Sequence, residues 1–303
     1  MSKETACVAT FVAAAGALDA ALPDAALAAA GPVMARRAEL APEQAMDLFF
    51  SAEPERLPAL RAALEAVCAP QRVDVVVQPA AGRRKALLVA DMDSTMIGQE
   101  CIDELADALG IRDHVAAITE QAMRGEIAFE GALRARVALL AGLRHEVVEE
   151  IIATRITATP GAATLVAVMR AHGAHTALVS GGFTLFTGPV AARLGFDETR
   201  ANRLVVARGA LTGAIEEPIL GAAAKRAALE EMRAARGLAV EQTLAVGDGA
   251  NDLAMLAAAG LGVAYRAKPK VAQAAAARID VTDLTTLLFA QGFCADEFGA
   301  ARA

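Results

Sequence analysis

The stretch KALLVADMDSTMI, residues 85–97, ends an apolar run in two aspartates two positions apart, Asp91 and Asp93. Two carboxylates ~4 Å apart repel by about 1 kcal/mol in water and by about 4 at the effective dielectric of a protein surface. Holding them together calls for a metal ion, a shared proton or a chemistry that uses both groups. Ser94 and Thr95 follow the pair. Further along, Ser180 in VSGGF and Asp248, Asn251 and Asp252 in VGDGANDLAML stand after other apolar runs, and a lone Lys225 stands near a helix start in GAAAKRAALEEM. Each piece alone has an ordinary reading. An Asp at a strand end often caps the next helix, SGG is often a turn, and one lysine on a helix is usually solvated. Their recurrence in this order on alternating strand-like and helical elements points to a shared site.

The elements that would position them are legible from residue 86 onward. ALLVA, HTALVS, TLAVG and LGVAY are short runs, apolar on both faces, each followed by a helical pattern. That pattern predicts parallel strands covered by helices, with ligands outside the carboxyl ends of the strands. Residues 99 to about 155 break the alternation with four helical stretches in succession: ECIDELADALG, HVAAITEQAMRG, AFEGALRARVALLAG and RHEVVEEIIATR. A helical insertion after the first strand is expected to cap the sheet's carboxyl edge. Residues 1–80 read differently. Strand-like CVATFVA, a Pro-interrupted helix LDAALPDAALAAA, strand-like PVMARRAEL and AMDLFFSA, the amphipathic ERLPALRAALEAVC and the strand RVDVVVQ give βαββαβ, a ferredoxin-like order. PAAGRRK, residues 79–85, suits a linker.

The chain has 303 residues, 55% hydrophobic and 21% charged, which suits one large or two ordinary globular domains. Its net charge of −7, without a basic run, argues against nucleic acid as a partner. Cys7, Cys68, Cys101 and Cys294 form no CxxC, so reduced thiols and a cytoplasmic setting are expected. His172 and His175 in RAHGAHT read as turn residues. The apolar segments near residues 6–18 and 171–192 are interrupted by charge or by Gly and Pro, so no membrane span or export signal is expected.

Taken together, DMDST, SGG, Lys225 and GDGAND resemble motifs I to IV of the haloacid dehalogenase-like hydrolases, over residues 86 to about 290. The resemblance implies a Rossmann-like parallel sheet: a catalytic core of residues 86–97 and 156–290, a helical cap over 98–155, and a C-terminal tail over 291–303. Counterparts of TPGA (159–162), VSGGF (179–183), LTG (211–213) and GDGAND (247–252), together with the cap, are similar to the branch of that family acting on O-phospho-L-serine. On this likeness Asp91 would be the nucleophile, forming an aspartyl-phosphate, and Asp93 the general acid and base. An acid at position 93, where the P-type ATPases have Thr, favours fast hydrolysis. Ser180, Gly181 and Lys225 would take the phosphoryl oxygens. One Mg²⁺ would be held by Asp91, Asp248 and the main-chain carbonyl of Asp93, with Asp252 supporting from behind and Asn251 orienting groups nearby.

The same likeness assigns Glu100 to the substrate ammonium, Arg136 to its carboxylate, and Met123 and Phe129 to an apolar wall. Ordinary alternatives are a helix N-terminal charge for Glu100, a solvated helix face for Arg136 and cap core for the other two. The expected reaction is Mg²⁺-dependent hydrolysis of O-phospho-L-serine, the last step of serine synthesis. A phosphotransferase passing the group to homoserine shares these residues and stays open, as does an amino-acid sensor on a degenerate core. Residues 1–80 resemble an ACT domain, although AAAGALDAALPD departs from that family's first turn. A structural or dimerising role, and hence a homodimer, stands beside serine sensing.

Overall fold

The computed structural model describes residues 4–123 and 126–300. The first unit comprises β1 (Thr5–Val12), α1 (Leu22–Ala30), β2 (Met34–Ala41), β3 (Ala45–Ala52), α2 (Leu57–Cys68) and β4 (Asp74–Pro79). Its four strands are antiparallel in the order β2-β3-β1-β4, the arrangement of a ferredoxin-like sheet. The proline expected to interrupt the first helix instead lies in its first turn, at Pro23, where a missing N–H costs nothing.

β1 is buried on both sides, and the reason lies in what covers each face. Cys7, Ala9 and Phe11 pack with Leu60 and Leu64 of α2. Val12 joins Leu40, Ala45 and Phe289 from the far end of the chain. The sheet face left bare by its own helices is therefore closed by the second unit. Polar contacts tie that seam. Asp74, 6% exposed, accepts from the backbone N–H of Asp280, Val281 and Thr282 at 2.8–3.3 Å and from the Thr282 hydroxyl at 2.6 Å. Gln78 donates to the Ala290 carbonyl at 2.7 Å.

Residues 79–85, expected as a linker, are also held in place. Arg83 reaches the buried Asp47 carboxylate at 2.7 Å, and Lys85 donates to the Glu241 carbonyl at 2.7 Å. At the chain's other end Gln291 and Phe293 are buried, and Ala295 N–H donates to the Leu40 carbonyl. The segment expected as a tail helps to seal the seam.

The second unit is α/β. β5 (Leu87–Ala90) leads into four consecutive helices, α3 (Cys101–Ala108), α4 (Arg112–Met123), α5 (Phe129–Ala138) and α6 (His145–Thr154). Then follow α7 (Ala162–Ala171), β6 (His175–Phe183), α8 (Thr184–Leu194), β7 (Glu198–Asn202), the hairpin β8 (Leu204–Ala207) and β9 (Ala210–Ile215), and α9 (Ala222–Ala235). The chain ends with β10 (Thr243–Gly247), α10 (Leu253–Ala258), β11 (Leu261–Tyr265), α11 (Pro269–Ala274), β12 (Ala277–Ile279), α12 (Thr286–Ala290) and α13 (Glu297–Ala300). Six of these strands form a parallel sheet in the order β12-β11-β10-β5-β6-β7.

From β5 the chain builds outward through β6 to β7, then returns to lay β10 on the opposite side of β5. That reversal opens a crevice beyond the carboxyl ends of β5 and β10, where parallel sheets of this kind bind ligands. Asp91 follows β5 and Asp248 follows β10, so the topology brings them together from 157 positions apart in sequence. No helix among the described residues is long and apolar enough to cross a membrane.

Candidate active site

Of the two aspartates of the opening stretch, Asp91 precedes one tight turn and Asp93 lies within it. Beyond β5 the backbone winds through residues 92–96, with Ser94 in the left-handed region at φ 53°. Asp91, 4% exposed, receives the Lys225 ammonium at 2.7 Å and the Met92 N–H at 2.8 Å, both on Oδ1. Oδ2 is the oxygen left for an electrophile or a cation. Asp93 accepts the Cys101 N–H at 3.1 Å, so the first turn of α3 orients its carboxylate. Its other oxygen lies against Gly182, where an added Cβ would come within 2.7 Å of it. A side chain there would displace the Asp93 carboxylate.

Lys225 is fully buried, bridging Asp91 and Asp252 at 2.7 Å each. Asp252 also accepts the Gly249 N–H at 3.0 Å, and it packs so closely on Gly247 that a Cβ there would stand 2.4 Å away. Asp248 takes the Thr95 hydroxyl at 3.2 Å. Ser180 Oγ accepts the Gly182 N–H at 2.9 Å, shaping the VSGGF turn. The sequence-derived core residues Asp91, Asp93, Ser180, Gly181, Lys225, Asp248, Asn251 and Asp252 thus converge on one edge of the sheet.

The electrostatics follow from that crowding. Burial, and then the Asp252 charge, push the Asp91 carboxyl well above its usual range, with Lys225 pulling back. Burial, then Glu100, raises Asp93 to about 7. Burial, then Asp252, raises Asp248 to about 6. Burial works against the Lys225 ammonium, but Asp91 and Asp252 hold it above the ordinary lysine range. One ammonium, that of Lys225, stands among these carboxylates, and one oxygen from each of Asp91, Asp248 and Asp252 lies within 4.8 Å of the others. An all-oxygen, acid-rich cluster fits a hard divalent cation such as Mg²⁺. Asp252 has both oxygens engaged, one by Lys225 and the other by the Gly249 N–H, whereas the contacts of Asp91 fall on Oδ1 alone, so Asp91 and Asp248 are the acids with an oxygen left to ligate.

A cavity of about 600 Å³ opens over this cluster, roofed by α4 and α5. Glu100, Phe129 and Arg136 line it, as do Thr119 and Leu133. Glu100 precedes α3 and accepts the Ser94 hydroxyl at 2.6 Å. Arg136 donates to the Thr119 hydroxyl and to the Ala132 carbonyl, each at 3.3 Å. Burial lowers its pKa, and Asp103 and Glu100 counter that shift. Met123 closes α4, and its side chain lies outside the described residues. Lys268 and Lys270, at the mouth beyond β11, went unread in the sequence, because AKPK looks like any turn leading to a helix.

The family model of the haloacid dehalogenase-like hydrolases matches residues 88–257. A phosphoserine phosphatase of Streptomyces coelicolor is 45% identical over 244 residues, 80% of this chain but only 59% of that relative. One from Albidiferax ferrireducens is 50% identical over 207 residues, covering 67% of this chain and 87% of the relative. The fold is similar to that of a haloacid dehalogenase-family hydrolase from Salmonella enterica serovar Typhi. The TM-score is 0.82 at 32% identity, over 94% of this chain and 97% of that one. The last match spans both units, so the pairing of a ferredoxin-like sheet with this core is shared.

Proposed function

The chain belongs to the haloacid dehalogenase-like hydrolases, and we propose that within this family it hydrolyses O-phospho-L-serine to L-serine and phosphate. The observation that carries this reading is one cavity holding two kinds of equipment. Its floor has Asp91 paired to a buried lysine beside Asp93, and its roof offers a carboxylate, Glu100, and a guanidinium, Arg136. A zwitterionic amino acid bearing a phosphate needs each of these.

Asp91 attacks phosphorus through a carboxylate oxygen, and the bond from phosphorus to the seryl oxygen breaks. Asp93, raised to about 7, carries a proton near neutral pH and gives it to the departing oxygen. The same carboxylate, now ionised, takes a proton from water as that water attacks phosphorus. The aspartyl ester opens, phosphate leaves and Asp91 is restored. Lys225 balances the phosphoryl oxygens, and Ser180 with the Gly181 N–H positions them. Asp91, Asp248 and the main-chain carbonyl of Asp93 would hold Mg²⁺, which when bound supplies further positive charge to the phosphoryl group. Glu100 receives the substrate ammonium, Arg136 its carboxylate, and Phe129 helps to exclude water. Four unpaired cysteines accord with a reducing, cytoplasmic setting.

Phosphate release from O-phospho-L-serine is the test, with and without Mg²⁺, beside p-nitrophenyl phosphate. Mg²⁺-dependent release is expected from both, with strong preference for phosphoserine and none from Asp91→Asn. Undiminished turnover in Asp91→Asn sinks the mechanism. Arg136→Ala should lower kcat/KM for phosphoserine by roughly 30–100-fold, the loss of a charged hydrogen bond, and leave the aryl ester nearly unchanged. Equal losses on both would remove Arg136 from substrate recognition.

A further inference from the structure

β6 and β7 run in step from Ala177 opposite Glu198 to Val179 opposite Arg200, and the next paired residues are Phe183 and Asn202. Four residues of β6 therefore advance against two of β7, and Ser180, Gly181 and Gly182 leave the ladder at the cavity they line. Such a bulge strands backbone polar groups that must find other partners. Here the Ser180 hydroxyl takes the Gly182 N–H, and a side chain from the neighbouring strand takes the Gly181 carbonyl. Asn202, the last residue of β7 and 2% exposed, donates Nδ2 to the Gly181 carbonyl at 2.8 Å and to the Leu220 carbonyl at 3.3 Å. Its Oδ1 accepts the Leu220 N–H at 2.6 Å.

The two segments joined in this way both serve the site. One carries Ser180 and Gly181. The other runs into Gly221, which caps the helix that bears Lys225. They also form the floor beneath Phe129, the first residue of α5. A Cβ on Gly221 would stand 3.5 Å from the Phe129 ring, and one on Gly181 would stand 3.8 Å from it. Asn202 itself does not line the cavity.

We propose that Asn202 is a positioning residue. Its single carboxamide sets the Ser180–Gly181 turn and the Leu220–Gly221 turn at one fixed spacing, and thereby fixes both the phosphoryl cradle and the seat of Phe129. This rests on the phosphatase reading above and extends it to a residue that does not line the cavity.

The decisive variant is Asn202→Asp, which has the same shape. It keeps an acceptor for the Leu220 N–H but sets a carboxylate oxygen against two carbonyl oxygens. At pH 8 kcat/KM should fall ~10–100-fold on both phosphoserine and p-nitrophenyl phosphate, the scale of a small misplacement of reacting groups. As the pH drops to 5.5 the new carboxyl gains a proton and can donate to Gly181, so the ratio of variant to wild-type activity should climb. A merely structural role would give no such pH-dependent recovery. Unchanged activity at pH 8, or a loss that stays constant across the pH range, overturns the proposal. Asn202→Ser, neutral and too short to span both turns, is the second variant and decides the matter if Asn202→Asp does not fold. It should lose activity on both esters without recovery at low pH, and full activity in it overturns the proposal as well. Wild-type protein that cleaves the aryl ester but not phosphoserine overturns the substrate reading alone, and the aryl-ester ratios then still decide Asn202.

Discussion

Asp93 and Asp248 titrate near pH 7 and 6 because burial disfavours their charged forms, whereas an unfolded chain leaves an aspartate at about 3.9. Between those values the folded protein keeps protons that the unfolded chain has released. The stability these two groups contribute is therefore complete below pH about 4 and is lost as the pH rises through 6 and 7. A divalent cation acts in the opposite direction at Asp248, since it binds there only after that carboxylate has given up its proton. Thermal melts of metal-free protein with and without MgCl₂ at pH 5.5 and pH 8 would check this. The Mg²⁺-induced rise in Tm should be much larger at pH 8, where Mg²⁺ at a hundred times its Kd adds about 2.7 kcal/mol. Asp248→Asn should remove most of that rise. A rise equal at both pH values, and retained in Asp248→Asn, would show that the cation binds away from these carboxylates.

Among the elements, those whose sequence has a single physical explanation were legible. ALLVA, HTALVS, TLAVG and LGVAY became β5, β6, β10 and β11, since a strand covered on both faces must be apolar throughout. The edge strands β7, ETRAN, and β12, ARI, were not read. β12 is buried but only three residues long, too short for a pattern; β7 is only partly covered, and its polar side chains look like loop. That also hid Asn202, whose role exists only because β6 bulges opposite it. The LTG segment was noticed only by resemblance, and the structure gives its physical task. The β8–β9 hairpin braces the junction of α5 and α6, with the Gly142 N–H donating to Leu211, the Leu211 N–H to Leu143 and the His145 N–H to Gly209, at 2.8–2.9 Å. Gly213 makes the closest approach, at φ +81° with a Cβ position 3.0 Å from the Ala138 carbonyl of α5. Gly213→Val should cost ~1–3 kcal/mol from the backbone conformation alone. It should also raise KM for phosphoserine more than for p-nitrophenyl phosphate, because α5 carries Phe129 and Arg136. Melting and paired kinetics would check this, and a stability loss with no change in selectivity would separate the hairpin from the roof of the site.

Across the whole molecule, charge raises a difficulty that the local geometry does not resolve. The chain carries a net −7, and the cavity concentrates Asp91, Asp93, Glu100 and Asp248 around it, yet the proposed substrate is itself an anion. Lys225 cannot attract it from a distance, being fully buried and neutralised by two carboxylates. Lys268 and Lys270 are placed differently. Both are exposed at the cavity's mouth, and among the described residues neither has a carboxylate partner within ion-pair distance. Uncompensated cations at an opening raise the local concentration of an anionic ligand, an effect that salt screens over a Debye length of about 10 Å at 0.1 M. Replacing both lysines by glutamine should lower kcat/KM for phosphoserine roughly 3–10-fold at low ionic strength and leave kcat nearly unchanged, as expected for groups that guide approach rather than touch the reacting atoms. With Mg²⁺ held constant and KCl raised, wild-type kcat/KM should fall toward that of the variant while the variant's own salt dependence flattens. A drop in kcat, or a salt dependence identical to wild type, would instead make the pair direct contributors to binding or catalysis, or idle surface residues.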